Sequence, residues 1–205
     1  MALSCPIGFD VGELRRQVGD TYTRVAESPD GDFHFHRGPD YAAELLGYDR
    51  DELATLPDAC TASFAGVANP LAIAPIHEGD VVLDVGSGSG MDLLLAARRV
   101  GSTGRAIGVD PTRAMRELAE LSARGAGVGD RVTVLEGDTQ VLPVDDEAID
   151  VVISNGVLNL STDKDAAFRE IWRVLRPGGR LQLGDVVLGK DLSERSRSDV
   201  DLWAA

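Results

Sequence analysis

Val81-Val82-Leu83-Asp84-Val85-Gly86-Ser87-Gly88-Ser89-Gly90 decides how this chain is read. A short apolar run carries an acid next to its end, and three glycines follow at alternate positions. Glycines where a strand gives way to a helix let the backbone turn tightly and let a ligand approach the main chain. A helical stretch follows, from about Met91 to Val100, then a glycine-bearing turn from Gly101 to Gly104. The same alternation continues. Strands are expected at Ala106 to Val109, Val132 to Leu135, Ile149 to Ser154 and Leu181 to Val187. Helices are expected at Thr112 to Arg124 and at Asp165 to Leu175, the latter stopped by Pro177-Gly178-Gly179. Continuous apolar strands alternating with amphipathic helices indicate a parallel sheet covered on both faces. The predicted class is a doubly wound, mainly parallel, Rossmann-like α/β fold, with no internal repeat.

Residues 1–75 have another texture. Most of the aromatics lie there: Phe9, Tyr22, Phe33, Phe35, Tyr41, Tyr48 and Phe64. Glu27 to Asp32 reads as a loop, Tyr41 to Leu46 as a helix stopped at Gly47, and Asp49 to Leu56 as a helix closed by Pro57. Thr61 to Pro70 is small and irregular in composition. The expectation is an N-terminal helical cap over 1–75, packed on a domain spanning 76–205.

Composition excludes several classes. The chain has 205 residues, 43% of them hydrophobic and 26% charged, enough for a core without staples. No apolar run approaches the roughly 18 residues of a membrane helix, and the start has neither a basic nor an apolar leader region. No membrane partner and a cytoplasmic location are expected. The 34 acids against 20 bases give a net charge of −14, which repels a phosphate polyanion, so no nucleic-acid partner is expected. The local basic candidates are Arg98-Arg99 and the group Arg173, Arg176 and Arg180. Cys5 and Cys60 make neither a disulfide framework nor a zinc site, so no metal is expected.

The glycine spacing is Gly-x-Gly-x-Gly. A dinucleotide fingerprint requires Gly-x-Gly-x-x-Gly, and Met91 stands at its third glycine; a phosphate-binding P-loop requires a lysine that is absent here. Asp110 closes the second strand, where an acid accepts the hydroxyls of a bound ribose. NAD would satisfy that geometry too. Asp84 discriminates, because a carboxylate there opposes a pyrophosphate but suits the ammonium of a methionine moiety. Gly137-Asp138-Thr139 ends the third strand with a polar pair able to read an adenine amino group. Together these favour S-adenosylmethionine. The expected cofactor residues are Asp84, Gly86, Ser87, Gly88, Gly90, Asp110, Pro111, Thr112, Met115, Asp138, Thr139 and Asn155. Pro111-Thr112 and Met115 are expected to flank the adenine.

Residues 80–187 resemble the class I S-adenosylmethionine-dependent methyltransferases, through Asp84 to Gly90, Asp110, Asp138 and Arg173 to Gly179. Within them the chain resembles the arsenite methyltransferase family over roughly 40–205. That likeness rests on Gly66 to Pro70, Gly108 to Thr112, Leu142-Pro143-Val144, Ile153 to Leu160 and Gly184 to Val187. It implies a methyltransferase acting on a small-molecule acceptor. The family's arsenic-holding cysteines would fall at Val67, at Gly156 and after the Leu202-Trp203 region, and neither Val67 nor Gly156 offers a thiol. The departure points to an organic acceptor. The fold of this class normally adds a helix and two strands after the fifth. Their lack here predicts an open fifth strand able to pair two copies. A non-catalytic cofactor-binding protein or fragment is the alternative.

Methyl transfer needs a base only when the acceptor must lose a proton. Asn155, at the end of the fourth strand, is the expected polar residue beside the transferring methyl, with capping of the next turn as its structural alternative. His34 and His36 alternate with Phe33 and Phe35, which would put both on one face of an extended segment, either in the acceptor pocket or on a polar surface.

Overall fold

The computed structural model describes residues 10–187 and 189. The first half contributes α1 (Val11–Glu27), α2 (Gly38–Leu46), α3 (Arg50–Leu53) and α4 (Asp58–Ala62). The rest alternates: β1 (Val81–Val85), α5 (Met91–Arg99), β2 (Arg105–Asp110), α6 (Arg113–Gly125), β3 (Val132–Glu136), β4 (Ile149–Asn155), α7 (Lys164–Val174) and β5 (Leu175–Gly184). The five strands form one sheet in the order β3-β2-β1-β4-β5, and every pairing is parallel. The chain runs outward from β1 to β3 and then returns to the other side of β1. The switch point lies between β1 and β4, where sheets of this class open a crevice at their carboxyl ends.

Alternation along the strands assigns two cores. Val82, Ala106, Val151 and Ile153 share one core with α5 and with Tyr48, Leu53, Leu56, Cys60 and Phe64 from α2–α4 and the loops beside them. Leu83, Val85, Val109 and Val152 share the other with Ala167, Ile171 and Val174 of α7. Helix α5 is buried from Met91 through Ala97 because the sheet covers one side and the N-terminal helices cover the other.

Some boundaries differ from the sequence reading. Helix α1 was not expected, although Val11, Leu14, Val18, Tyr22 and Val25 follow helical spacing and Asp10 caps the first turn by accepting from the N–H groups of Gly12 and Glu13. Gly12 and Gly19 mask the pattern in composition. Helix α3 is a single turn, shorter than the span expected for it. Helix α7 ends at Val174, before the Pro-Gly-Gly step. That step instead belongs to β5, as a bulge between the pairings Ile149–Leu175 and Val151–Arg180. Strand β5 stops at Gly184, so Val186 and Val187 lie outside it, exposed. Cys5, Phe9 and the Leu202-Trp203 region lie outside the described residues.

Candidate functional site

The turn after β1 is tied to β2: the N–H groups of Gly86 and Ser87 both donate to the Val109 carbonyl, at 2.8 and 3.1 Å. Gly86 has φ +74°, and a Cβ there would lie 2.4 Å from Val157 Cγ2, so only glycine lets the loop after β4 close on the turn. Asp110 secures the turn from the next strand. Its Oδ2 accepts from Gly88 N–H at 2.9 Å and its Oδ1 from Thr112 N–H at 2.8 Å. This one carboxylate thus joins β2, the glycine turn and the start of α6.

Asp84 is 3% exposed, and its Oδ2 is buried without a hydrogen-bond partner; Ser87 Oγ is in the same condition. Burial pushes the Asp84 carboxyl well above the usual carboxylate range, and the charges of Asp92 and Asp110 push it further. Asp92, in the first turn of α5, accepts from Tyr48 Oη at 2.6 Å and from Asn155 Nδ2 at 2.9 Å. Burial raises it to about 6 against those two bonds and the distant Arg99 charge. Burial also raises Asp110, although the Thr112 and Gly88 donors oppose the shift. Tyr22 is raised to about 12, by burial first and by the Asp110 charge second.

Asn155 is fully engaged. Its Oδ1 accepts from the N–H groups of Val67 and Ala68 at 2.8 and 3.0 Å, and its Nδ2 donates to Ala68 O, Asp92 and Tyr48. The residue lines the cavity, and these bonds are ones that the sequence did not show. The side chain clamps the 66–70 segment against the end of β4.

These groups surround a cavity of about 280 Å³ at the switch point. Of the twelve residues expected at a cofactor site, Asp84, Gly86, Ser87, Gly88, Asp110, Pro111, Thr112, Met115, Asp138, Thr139 and Asn155 line it. Gly90 does not. It caps α5, and a Cβ there would lie 3.0 Å from Leu94 and 3.1 Å from Ala119, so its place is the packing of α5 on α6. The sequence missed the roof. Leu14, Arg15, Val18, Gly19 and Tyr22 of α1 line the cavity, and Arg15 reaches Asp138 at 3.2 Å and Gln140 Oε1 at 3.2 Å. It also missed Phe64, Gly66, Val157 and Leu160. The helical spacing of α1 was the available signal for the first group, whereas nothing local marks the second.

His34 lies on a bend and His36 just beyond it, both exposed and outside the cavity lining, and His36 stacks on Tyr41. Cys60 is fully buried, does not line the cavity, and burial pushes its thiol to about 12. Val67 and Gly156 meet: a Cβ on Gly156 would lie 3.3 Å from Val67 Cγ1. The basic candidates are engaged with acids and carbonyls: Arg99 with Glu52, Arg173 with Glu170 and Asp146, Arg176 with Asp150, Arg180 with Asp80, and Arg98 with Thr55. Among the described residues no helix is long and apolar enough to cross a membrane.

A doubly wound parallel sheet, with acids at two strand ends joined to a glycine turn that lines one cavity at the switch point, defines a ligand-binding α/β domain of the nucleoside-binding type. Residues 76–204 match the family model described as a methyltransferase domain, and the chain belongs to that family, among the class I S-adenosylmethionine-dependent methyltransferases. An arsenite methyltransferase of Halobacterium salinarum is 41% identical over 159 residues, 78% of this chain and 40% of that protein. A ubiquinone/menaquinone biosynthesis C-methyltransferase of Escherichia coli is 36% identical over 107 residues, 52% of this chain and 42% of that protein. The crystal structure of an arsenic(III) S-adenosylmethionine methyltransferase from Chlamydomonas reinhardtii superposes with a TM-score of 0.68 at 37% identity, covering 76% of this chain and 56% of that one. The chain thus spans about 40% of the length of these curated relatives.

The residues present fit S-adenosylmethionine. An ammonium needs a buried acceptor, and Asp84 Oδ2 is one without a partner. A ribose diol needs a carboxylate at the end of β2, and Asp110 stands there inside the cavity.

Proposed function

We propose that this chain binds S-adenosylmethionine in the switch-point cavity and transfers its methyl group to a small organic acceptor. The observation that carries this reading is the unpartnered, buried Asp84 oxygen beside the glycine turn. Leaving such a group unpaired costs about 1–3 kcal/mol or more, and a cationic ligand removes that cost. In this reading Asp84 takes the ammonium, Asp110 the ribose and Asp138-Thr139 the adenine amino group, while Pro111-Thr112 and Met115 flank the adenine ring. Gly86, Ser87 and Gly88 leave room for the methionine part.

When bound, the cofactor supplies the sulfonium methyl and hence the reactivity. The protein contributes orientation and exclusion of water. Phe64, Val157 and the α1 residues Leu14 and Val18 form apolar walls. Asn155 acts as a positioning residue, because all its polar atoms hold the 66–70 segment rather than facing the cavity free. Val67 and Gly156 bring a methyl group and a bare backbone together where the family's cysteines would fall. That pair supports an organic acceptor over arsenite, since a soft metalloid needs thiolates.

In this reading the methyltransferase domain spans 76–205 and the cap 1–75. Among the described residues no strand lies beside the outer edge of β5, and such an edge supports pairing with a second copy. The free thiol of Cys60 supports a cytoplasmic setting, and the engaged arginines support a function without nucleic acid. The test is calorimetric titration with S-adenosylhomocysteine, followed by transfer of labelled methyl from S-adenosylmethionine to a panel of thiols, amines, phenols and arsenite. Micromolar binding with transfer to an organic acceptor is expected. Binding without transfer to any acceptor would favour a cofactor-binding protein without catalysis, and absence of binding by folded protein would refute the site.

A further inference from the structure

We propose that Asp84 and Asp92 form a charge-sensing pair that holds one proton fewer when the methyl donor fills the cavity than when the demethylated product does. The inference rests on the reading of the cavity as the cofactor site, and it concerns what the protein's own acids do there.

The two carboxyls flank the glycine turn, one near the end of β1 and the other in the first turn of α5, and both line the cavity. They are 3% and 6% exposed. Their partners are neutral. The Leu93 backbone N–H steadies Asp84, whose Oδ2 has none, while Tyr48 and Asn155 serve Asp92. Among the described residues neither acid has an ion-pair partner. The other charged or titratable groups around them are Asp110 from β2, the Cys60 thiol of α4 beside Asp92 and, beyond Asp110, Tyr22 of α1 and Arg116 of α6. Arg99 reaches Asp92 only through space. Two adjacent buried negative charges without a cation repel each other strongly, so the empty pair retains a proton.

Donor and product share an ammonium and a carboxylate and differ by the positive charge on sulfur. The shared ammonium and carboxylate cancel in net charge, so the donor brings one positive charge more than the product. One more ionised carboxylate is therefore compensated only while sulfur is positive. As the S–CH3 bond breaks, its electron pair stays with sulfur, and the acceptor gains the methyl carbon and gives up its proton. In this proposal the pair takes that proton up. A neutral N–H, O–H or S–H acceptor then leaves charge in the site balanced without a bulk-water exchange.

The experiment is calorimetric titration of the wild-type chain with S-adenosylmethionine and with S-adenosylhomocysteine, in phosphate and in Tris, between pH 5.5 and 8. Comparison of the two buffers counts protons. Donor binding is expected to release on the order of one proton more than product binding. Its affinity relative to product should rise with pH by up to about tenfold per unit across the pair's titration. Asp92→Asn should lose the pH dependence of the preference, whatever its absolute affinity for either ligand. Equal proton counts with a flat affinity ratio would overturn the pair and leave the cofactor site standing. Binding of neither ligand would overturn both. If the variant fails to fold, the wild-type proton count decides alone.

Discussion

Replacing Asp110 with alanine tests the assignment on which the cofactor reading most depends. The carboxylate accepts from Gly88 N–H at 2.9 Å and Thr112 N–H at 2.8 Å, and the residue lines the cavity. Hydrogen bonds to a charged acceptor contribute about 1.5–3 kcal/mol each. Loss of the ribose contact alone should therefore weaken S-adenosylhomocysteine binding by roughly 10- to 150-fold, at about 1.4 kcal/mol per decade. The protein bears a second cost, because two backbone donors in a buried site lose their acceptor, at about 1–3 kcal/mol each. Asp110→Asn separates the two effects. Its amide oxygen can keep one backbone donor satisfied, so stability should fall less than in the alanine variant, while the neutral amide still accepts poorly from a diol. The assay pairs calorimetry with urea unfolding of the same samples. Affinity within twofold of wild type in a folded Asp110→Ala protein would refute the ribose assignment, whatever happened to stability.

Further outcomes follow from the same geometry. Gly86→Ala combines a left-handed residue with a 2.4 Å approach to Val157 and should cost about 2–4 kcal/mol in urea unfolding; Val157→Ala in the same chain should restore part of it, and strict additivity of the two would count against that contact. Tyr48→Phe strips Asp92 of its 2.6 Å donor and should destabilise the protein by about 1–3 kcal/mol. The pH dependence has a definite sign. Burial raises Asp92 from the usual carboxylate range to about 6, so the folded ligand-free state binds its proton more tightly than the unfolded chain, and stability from this group is lost as pH rises through about 6. The melting temperature should therefore rise when the pH is lowered from 7.5 to 5.5, and Asp92→Asn should flatten that rise. Arg15→Ala removes an exposed ion pair with Asp138 and should change stability by less than about 1 kcal/mol, a limit that calorimetric melting would check.

The parts of the site that were legible in the sequence are those where one residue type must close one element. Asp84, Asp110 and Asp138 each stand at or near the end of an apolar strand, and parallel strands bring such ends to one edge because the sheet has a single carboxyl side. Knowing the strands was therefore enough to bring the three acids together. The roof obeys no such rule. Helix α1 packs over α6 and the cavity through Leu14, Val18 and Tyr22, and nothing in its own sequence says which surface its apolar face will cover. Gly90 shows the opposite error. It belongs to the glycine run by spacing, yet it serves the contact of α5 with α6, which only the packed structure reveals. Asn155 is the most instructive case. Its position after β4 was readable, and its role was not, because that role depends on Val67 and Ala68, more than eighty residues earlier. A polar side chain at a strand end looks the same in sequence whether it faces a ligand or holds a distant loop. The count of its bonds shows what the sequence could not: both of its polar atoms already hold the 66–70 segment, Asp92 and Tyr48, while the residue also lines the cavity.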